Sequence, residues 1–337
     1  MFVYDRLSQE DREIRLVSFC VPAAVCDDTI NLTLSRVSLN DHPSYHALSY
    51  VWGDPSPTTT ISLDNKPLPI GNNLQSAFLH LRQNIGVSWF WVDAVCIDQN
   101  NHEERNWQAA QMRDIFALAG LVHIWLGPCG NDSELVMDMA QRIGPDALNA
   151  GVLDLWKDSP SKNSRLDTLP ENAKDDKALG FLAALLDDES LRSPGLPKAI
   201  MALLSRANWS RSWIIQEIAL PRSGLILCGT QHVSLDAFDA ALTAVYFAKI
   251  GRFPRQLPQW RNFGAGLNNN VFHLRGLVAR RQHRWGQAFS LADLLLSDLR
   301  SAPDRPFYTA SDARDVIFGF QITARQLSKC ILQPQRQ

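Results

Sequence analysis

Long apolar runs are missing from this sequence. No stretch of its 337 residues approaches the ~20 apolar residues that span a bilayer. Met1 to Glu13 mixes acids and bases, without the apolar core of a signal peptide. Neither a membrane span nor a secretory leader is expected, and the chain reads as cytoplasmic. A basic excess is missing too: 33 Lys and Arg stand against 35 Asp and Glu, giving a formal net charge of −2. That leaves no field for a phosphate backbone, so nucleic acid is not an expected partner. The six cysteines, at 20, 26, 96, 129, 228 and 330, lack the paired short spacings of a disulfide framework or a zinc site and read as reduced thiols. His42 and His46 have no cysteine or third histidine nearby in sequence, and no metal is expected.

Familiar catalytic motifs are absent as well. There is no G-x-S-x-G elbow and no P-loop lysine. Gly264-Ala-Gly266 resembles half a dinucleotide fingerprint, but no strand leads into it. Cys96 lies in an apolar run and reads as an inert core thiol. No internal repeat is evident. What is present is ordinary for a soluble globular chain: 45% hydrophobic and 20% charged residues, at a length that fits one large or two modest domains.

Periodicity gives the layout. Residues 13–19 and 30–39 alternate apolar and polar, as half-buried strands do, and form an N-terminal β-ribbon over 1–44. Residues 46–53 read as a strand ending in a Gly-Asp-Pro turn, and 61–70 as a hairpin turning near Asp64-Asn65. A helix follows over 72–85, capped by Asn72 or Asn73 and stopped by Gly86. The run at 89–98 is apolar enough for a strand covered on both faces. Asn101 caps the next helix, whose first turn holds Glu103 and Glu104. Strands at 121–127 and 225–229, a helix from Asn208 to Pro221 and another from Ser234 complete the main domain at about 240. Such an order predicts an α/β fold, a parallel sheet with helices on both faces. Between 130 and 200 the sequence reads as an insertion with helical pieces at 133–143 and 176–187 and no core of its own; 150–197 is expected to be the most mobile part of the main domain. From 241 to 337 a mainly helical C-terminal extension is expected, rich in Arg, Gln and Asn, with helices at 271–281 and 289–300.

Three blocks carry a resemblance. They are Tyr45-His-Ala-Leu-Ser-Tyr-Val-Trp-Gly-Asp54; Trp91-Val-Asp-Ala-Val-Cys-Ile-Asp-Gln99, continued by Glu104, Gln108, Met112 and Ile115; and Trp209-Ser-Arg-Ser-Trp-Ile-Ile-Gln-Glu217. In this order they resemble the heterokaryon-incompatibility (HET) domain of fungi, over 45–240 with core blocks at 45–127 and 205–229. Phe116 and the Asp98-Gln99 pair depart slightly from the family pattern. The resemblance implies an effector of non-self recognition and programmed cell death, self-association, and other incompatibility proteins as partners. It also implies a longer chain beyond Arg314-Asp315, so this one reads as a shortened member.

The layout is more distantly similar to TIR domains, which implies a flavodoxin-like sheet and a glutamate, here Glu217, that cleaves NAD at the nicotinamide–ribose bond. NAD would then be substrate, with no resident cofactor. The chemistry is coherent, because nicotinamide leaves neutral and one carboxylate can steady the ribosyl cation. On a continuous helix Trp209, Trp213 and Glu217 share one side, with Trp213 beside a planar cationic ring. Ser49, Tyr50, Trp52, Gly53 and Asp54, with Asp98 and Gln99, fall at strand ends where open α/β sheets bind ligands. Plainer readings stand beside these: indoles in the core, Glu217 paired with Arg211 or Arg222 at the surface, a turn at 52–54, and Asp93 as a hydrogen-bond hub. For function, NAD cleavage, a non-catalytic TIR-like adaptor, and an inactive member all stay open.

Overall fold

The N-terminal ribbon is built into the interior of a larger sheet. The computed structural model describes residues 2–20, 29–54, 56, 59–84, 88–156, 177–185, 187–250 and 274. The expected helices at 271–281 and 289–300, the Arg314-Asp315 segment, most of the C-terminal extension, Gly86 and the polar stretch 157–176 lie outside the described residues. The chain divides into two compact units, one of Met1–Pro128 with Leu220–Thr230, the other of Cys129–Ala219 with Gln231–Gln337.

In chain order the first unit carries β1 (Glu13–Phe19), β2 (Asn31–Ser38), β3 (His46–Ser49), β4 (Thr59–Leu63), β5 (Lys66–Ile70), α1 (Asn72–Asn84), β6 (Phe90–Trp91), the short helix α2 (Asp93–Cys96), α3 (His102–Leu118), β7 (Leu121–Trp125) and β8 (Gly224–Cys228). These strands lie in the order β5-β4-β2-β1-β6-β3-β7-β8. β1 is antiparallel to β2 and also to β6, with Val17 opposite Phe90. It is therefore interior, and instead of being half-buried it is covered on both faces from Ile14 to Ser18. The hairpin β4–β5 turns at Asp64 and Asn65, φ 48° and 61°, the left-handed pair that a two-residue turn matching the strand twist needs.

The four central strands β6, β3, β7 and β8 are mutually parallel. The winding direction reverses between β3 and β7, since the chain goes from β3 to β6 on one side and returns to β7 on the other. Side-chain alternation puts Phe90, His46, His123 and Trp125 on one face, where α1 brings Asn73 and His80 to Trp125. Tyr45 and Trp91 point the other way, the Tyr45 hydroxyl donating to the Ile115 carbonyl of α3 at 2.6 Å and Trp91 packing on Phe116. On the first face His46 and His123 meet ring to ring, Nδ1 to Nε2, at 3.1 Å; burial lowers the His46 pKa.

One expectation needs correction here. The run 89–98 is not one strand: it pairs only over Phe90–Trp91 and then turns into α2, where the Cys96 and Ile97 amides bond back to the Val92 and Asp93 carbonyls. Of the two candidate caps of α1, Asn73 turns elsewhere: its side chain donates to the Val51 carbonyl at 2.6 Å and accepts from Trp125 Nε1 at 2.9 Å, tying the ends of β3 and β7. Asn101 caps α3 as expected, accepting from the Glu103 and Glu104 amides.

The second unit holds α4 (Ser133–Asn149), α5 (Lys177–Leu185), α6 (Leu196–Leu204), α7 (Ile214–Ala219), β9 (Gln231–Ser234) and α8 (Leu235–Ile250). The stretch expected to lack a core supplies one. α4 buries Val136, Met137, Met139, Ala140, Ile143 and Ala147, α6 buries Ile200 and Leu203, and α8 is buried on nearly every side from Leu235 to Phe247. α4 also runs past its expected end at 143, through Pro145. Gly144 explains the fit: a Cβ there would lie against the Ala237 carbonyl of α8. Among the described residues no helix is long and apolar enough to cross a membrane.

Candidate functional site

The nine candidate residues fall into two clusters, one in each unit. In the first, β3 delivers Ser49 and Tyr50 into the core, both buried, so neither lines a surface. The chain then emerges. Trp52 is 48% exposed, and its Nε1 donates to Asp93 Oδ2 at 2.8 Å. Gly53 takes φ +75°, where a side chain would be strained. Asp54 accepts from the Ser56 amide, an Asx turn that fixes the tip.

Across from this loop α2 gathers the rest of the cluster. Asp93 accepts from Trp52 and from the Ala94 amide, and its carbonyl takes Gln99 Nε2 at 2.8 Å. Trp52, Asp93 and Gln99 thus form one connected group, and Asp93 serves as its hydrogen-bond hub. Asp98 caps the next turn through the Asn100 amide. Beneath it lies a group that sequence reasoning missed. Arg15, 1% exposed, grips Glu104 with both terminal nitrogens at 2.5 and 3.0 Å and donates to the Cys96 and Asp5 carbonyls. Glu104 also accepts from the Asp98 amide at 2.8 Å. Tyr4 lies over the guanidinium, 4.7 Å from it, and donates to the Val95 carbonyl. Sequence carried little signal for it: Arg15 falls on the polar phase of an alternating strand, and only its burial obliges it to find a partner. Burial pushes the Cys96 thiol up to about 12, which removes it as a nucleophile.

In the second unit the helix expected between Asn208 and Pro221 is broken. Ala207–Ser210 form a 3-10 turn, Arg211 is extended, and α7 begins only at Ile214. Trp209 therefore does not share a helical face with Trp213 and Glu217. It is a core residue, donating from Nε1 to the Leu203 carbonyl at 3.0 Å and stacking on Phe238 with ring planes 8° apart. Trp213 is half-buried, and its carbonyl starts α7 by accepting from the Gln216 and Glu217 amides. Glu217 is 2% exposed. Both its oxygens accept from Arg211, Oε2 from Nη1 and Oε1 from Nη2, each at 3.1 Å. Asn208 Oδ1 also faces Arg211 Nη1, at 3.4 Å. The plainer reading had the right partner but the wrong setting, since the pair is inside the protein.

Compared with known families, the chain matches the heterokaryon incompatibility (HET) protein family over residues 45–217. The chain belongs to that family. It is 30% identical over 252 residues to the OR allele of heterokaryon incompatibility protein 6 of Neurospora crassa, a match covering 69% of this chain and 36% of that protein. The chain thus spans little more than a third of that relative's length. No solved structure matches it.

Within this HET domain the three sequence blocks have distinct structural duties. The first forms β3 and the Trp52 tip. The second starts as β6 and ends as the Glu104 anchor of Arg15. The third closes on itself through the Arg211–Glu217 pair. Most of their polar residues are engaged with the protein's own backbone or charges.

Proposed function

We propose that this chain works in heterokaryon incompatibility as the HET portion of a cell-death effector, acting by self-association and partner binding and not by cleaving NAD. Family membership and the name of the Neurospora relative support the first half. The second half is carried by one observation: the Glu217 carboxylate is buried and both its oxygens are held by Arg211. An NAD-cleaving glutamate must offer an oxygen to the ribose as positive charge develops, and here both oxygens are already engaged by the one Arg211 guanidinium. The parallel order β6-β3-β7-β8 with its reversal at β3/β7 supports the flavodoxin-like, TIR-like layout, which serves adaptor modules as well as enzymes.

The test is to incubate the purified chain, dilute and concentrated, with NAD and to follow nicotinamide, in parallel with expression in a filamentous fungal host. Cell death without nicotinamide release is expected. It should survive replacement of the ion pair by the apolar pair Arg211→Met and Glu217→Leu. Nicotinamide release by the wild type that this double variant abolishes would overturn the adaptor reading in favour of catalysis.

A further inference from the structure

The tip of the β3 loop has the properties of a binding anchor. Trp52 leaves 48% of its surface in water yet is not free to move. Its Nε1 is held by Asp93, the carbonyl before it is held by Asn73, and Asp54 fixes the turn after it. An aromatic ring ordered in advance loses little entropy when a partner covers it, which is how a few such residues dominate an interface.

The two segments that meet at the Trp52–Asp93 bond are of one charge. Asp54 is exposed, Asp93 and Asp98 are half-buried, and no Lys or Arg occurs between Pro43 and Asn65 or between Ser88 and Glu104. An indole face bordered by carboxylates suits a guanidinium, with the cation over the ring and the acids at its edge. The chain itself carries the complement: from Gly251 to Ala292 there are seven arginines and neither Asp nor Glu.

We propose that the Trp52 face docks an arginine of the 252–284 segment of a second copy of this chain. The proposal rests on the association reading above and names its contact. Two different surfaces meet, so the contact is heterologous, and copies can add head to tail without closing a ring.

Sedimentation or light scattering of the full chain tests it. The wild-type mass should rise with concentration and fall back as salt is added, because the attraction is partly between exposed charges. Trp52→Ala should weaken association by about thirtyfold, the effect of losing one interface anchor. Trp52→Phe, which keeps a ring but loses the indole N–H, should retain most of it. Asp54→Asn, which keeps the Oδ1 that holds the turn, should lower the salt sensitivity. Melting temperatures of all variants near wild type would certify the fold.

A wild type that stays monomeric at every concentration overturns the contact, including the case in which the segment binds only within its own molecule. So does a folded Trp52→Ala chain that associates like wild type. Nicotinamide release from NAD would sink the adaptor reading and leave this contact standing, so the two failures are distinguishable.

Discussion

At the residue scale, two carboxylates buried against arginines, Glu104 with Arg15 and Glu217 with Arg211, hold the HET segments in place. Removing one member of a buried pair leaves the other charge without compensation, whereas replacing both by apolar groups is often close to neutral. Glu217→Gln should therefore lower unfolding stability by roughly 3 kcal/mol, toward the lower end for such a break, because the amide keeps one acceptor and Arg211 is 18% exposed at its side chain. The double change Arg211→Met with Glu217→Leu should recover most of that loss. Urea unfolding of the three proteins checks this, and a Glu217→Gln chain as stable as wild type would show that the pair contributes nothing. The sequence made Glu217 conspicuous and named Arg211 as a partner, but it could not place them indoors. Their meeting depends on the break at Arg211, which turns the guanidinium back over α7, and helical spacing counts straight through such a break.

At the element scale, periodicity read best where one local signal dominated. The Asn101 cap, the Asp64-Asn65 turn and the parallel strands at 46–49, 121–125 and 224–228 came out near their expected places. It read worst where composition imitated another element. The residues after Phe90-Trp91 are apolar enough for a strand, yet Asp93 stands where its carboxylate accepts from the Ala94 amide, as acids do in a first helical turn. α4 outran its proline because Ile143 before it and Ala147 after it are both buried, and that burial outweighs the one hydrogen bond Pro145 cannot make. The close approach at Gly144 gives a direct test. Gly144→Ala raises helix propensity, by about 1 kcal/mol in an exposed helix, but its methyl would meet the Ala237 backbone, which cannot swing aside. A net loss of about 1–3 kcal/mol is expected, the usual range for overpacking. A raised melting temperature would mean that α4 and α8 have room to separate.

At the scale of the whole molecule, the path of the chain is the feature that sequence concealed. It leaves the first unit at Pro128, builds most of a second compact unit, and returns as Leu220–Thr230 to lay β8 beside β7. Periodicity identifies β8 as a strand, but the polar stretch within 130–200 masks how thoroughly α4 and α6 are buried. The arrangement has a physical consequence. Without β8, the β7 edge from Val122 to Trp125 would present unpaired amides and carbonyls on an apolar strand, a surface that invites pairing with other chains. The opposite edge is already blunted, since β5 reads Lys-Pro-Leu-Pro-Ile and its two prolines have no N–H to offer. A fragment of residues 1–128 should therefore aggregate or remain partly unfolded. The same fragment joined to residues 220–230 should fold as a monomer. Its linker must let the chain return along the length of a strand, because β7 and β8 are parallel, and a crossover of that kind takes about a dozen residues. Circular dichroism and gel filtration of the two fragments decide the matter. If the 1–128 fragment is as folded and monomeric as the joined one, β8 is dispensable and the first unit is complete before the chain leaves it.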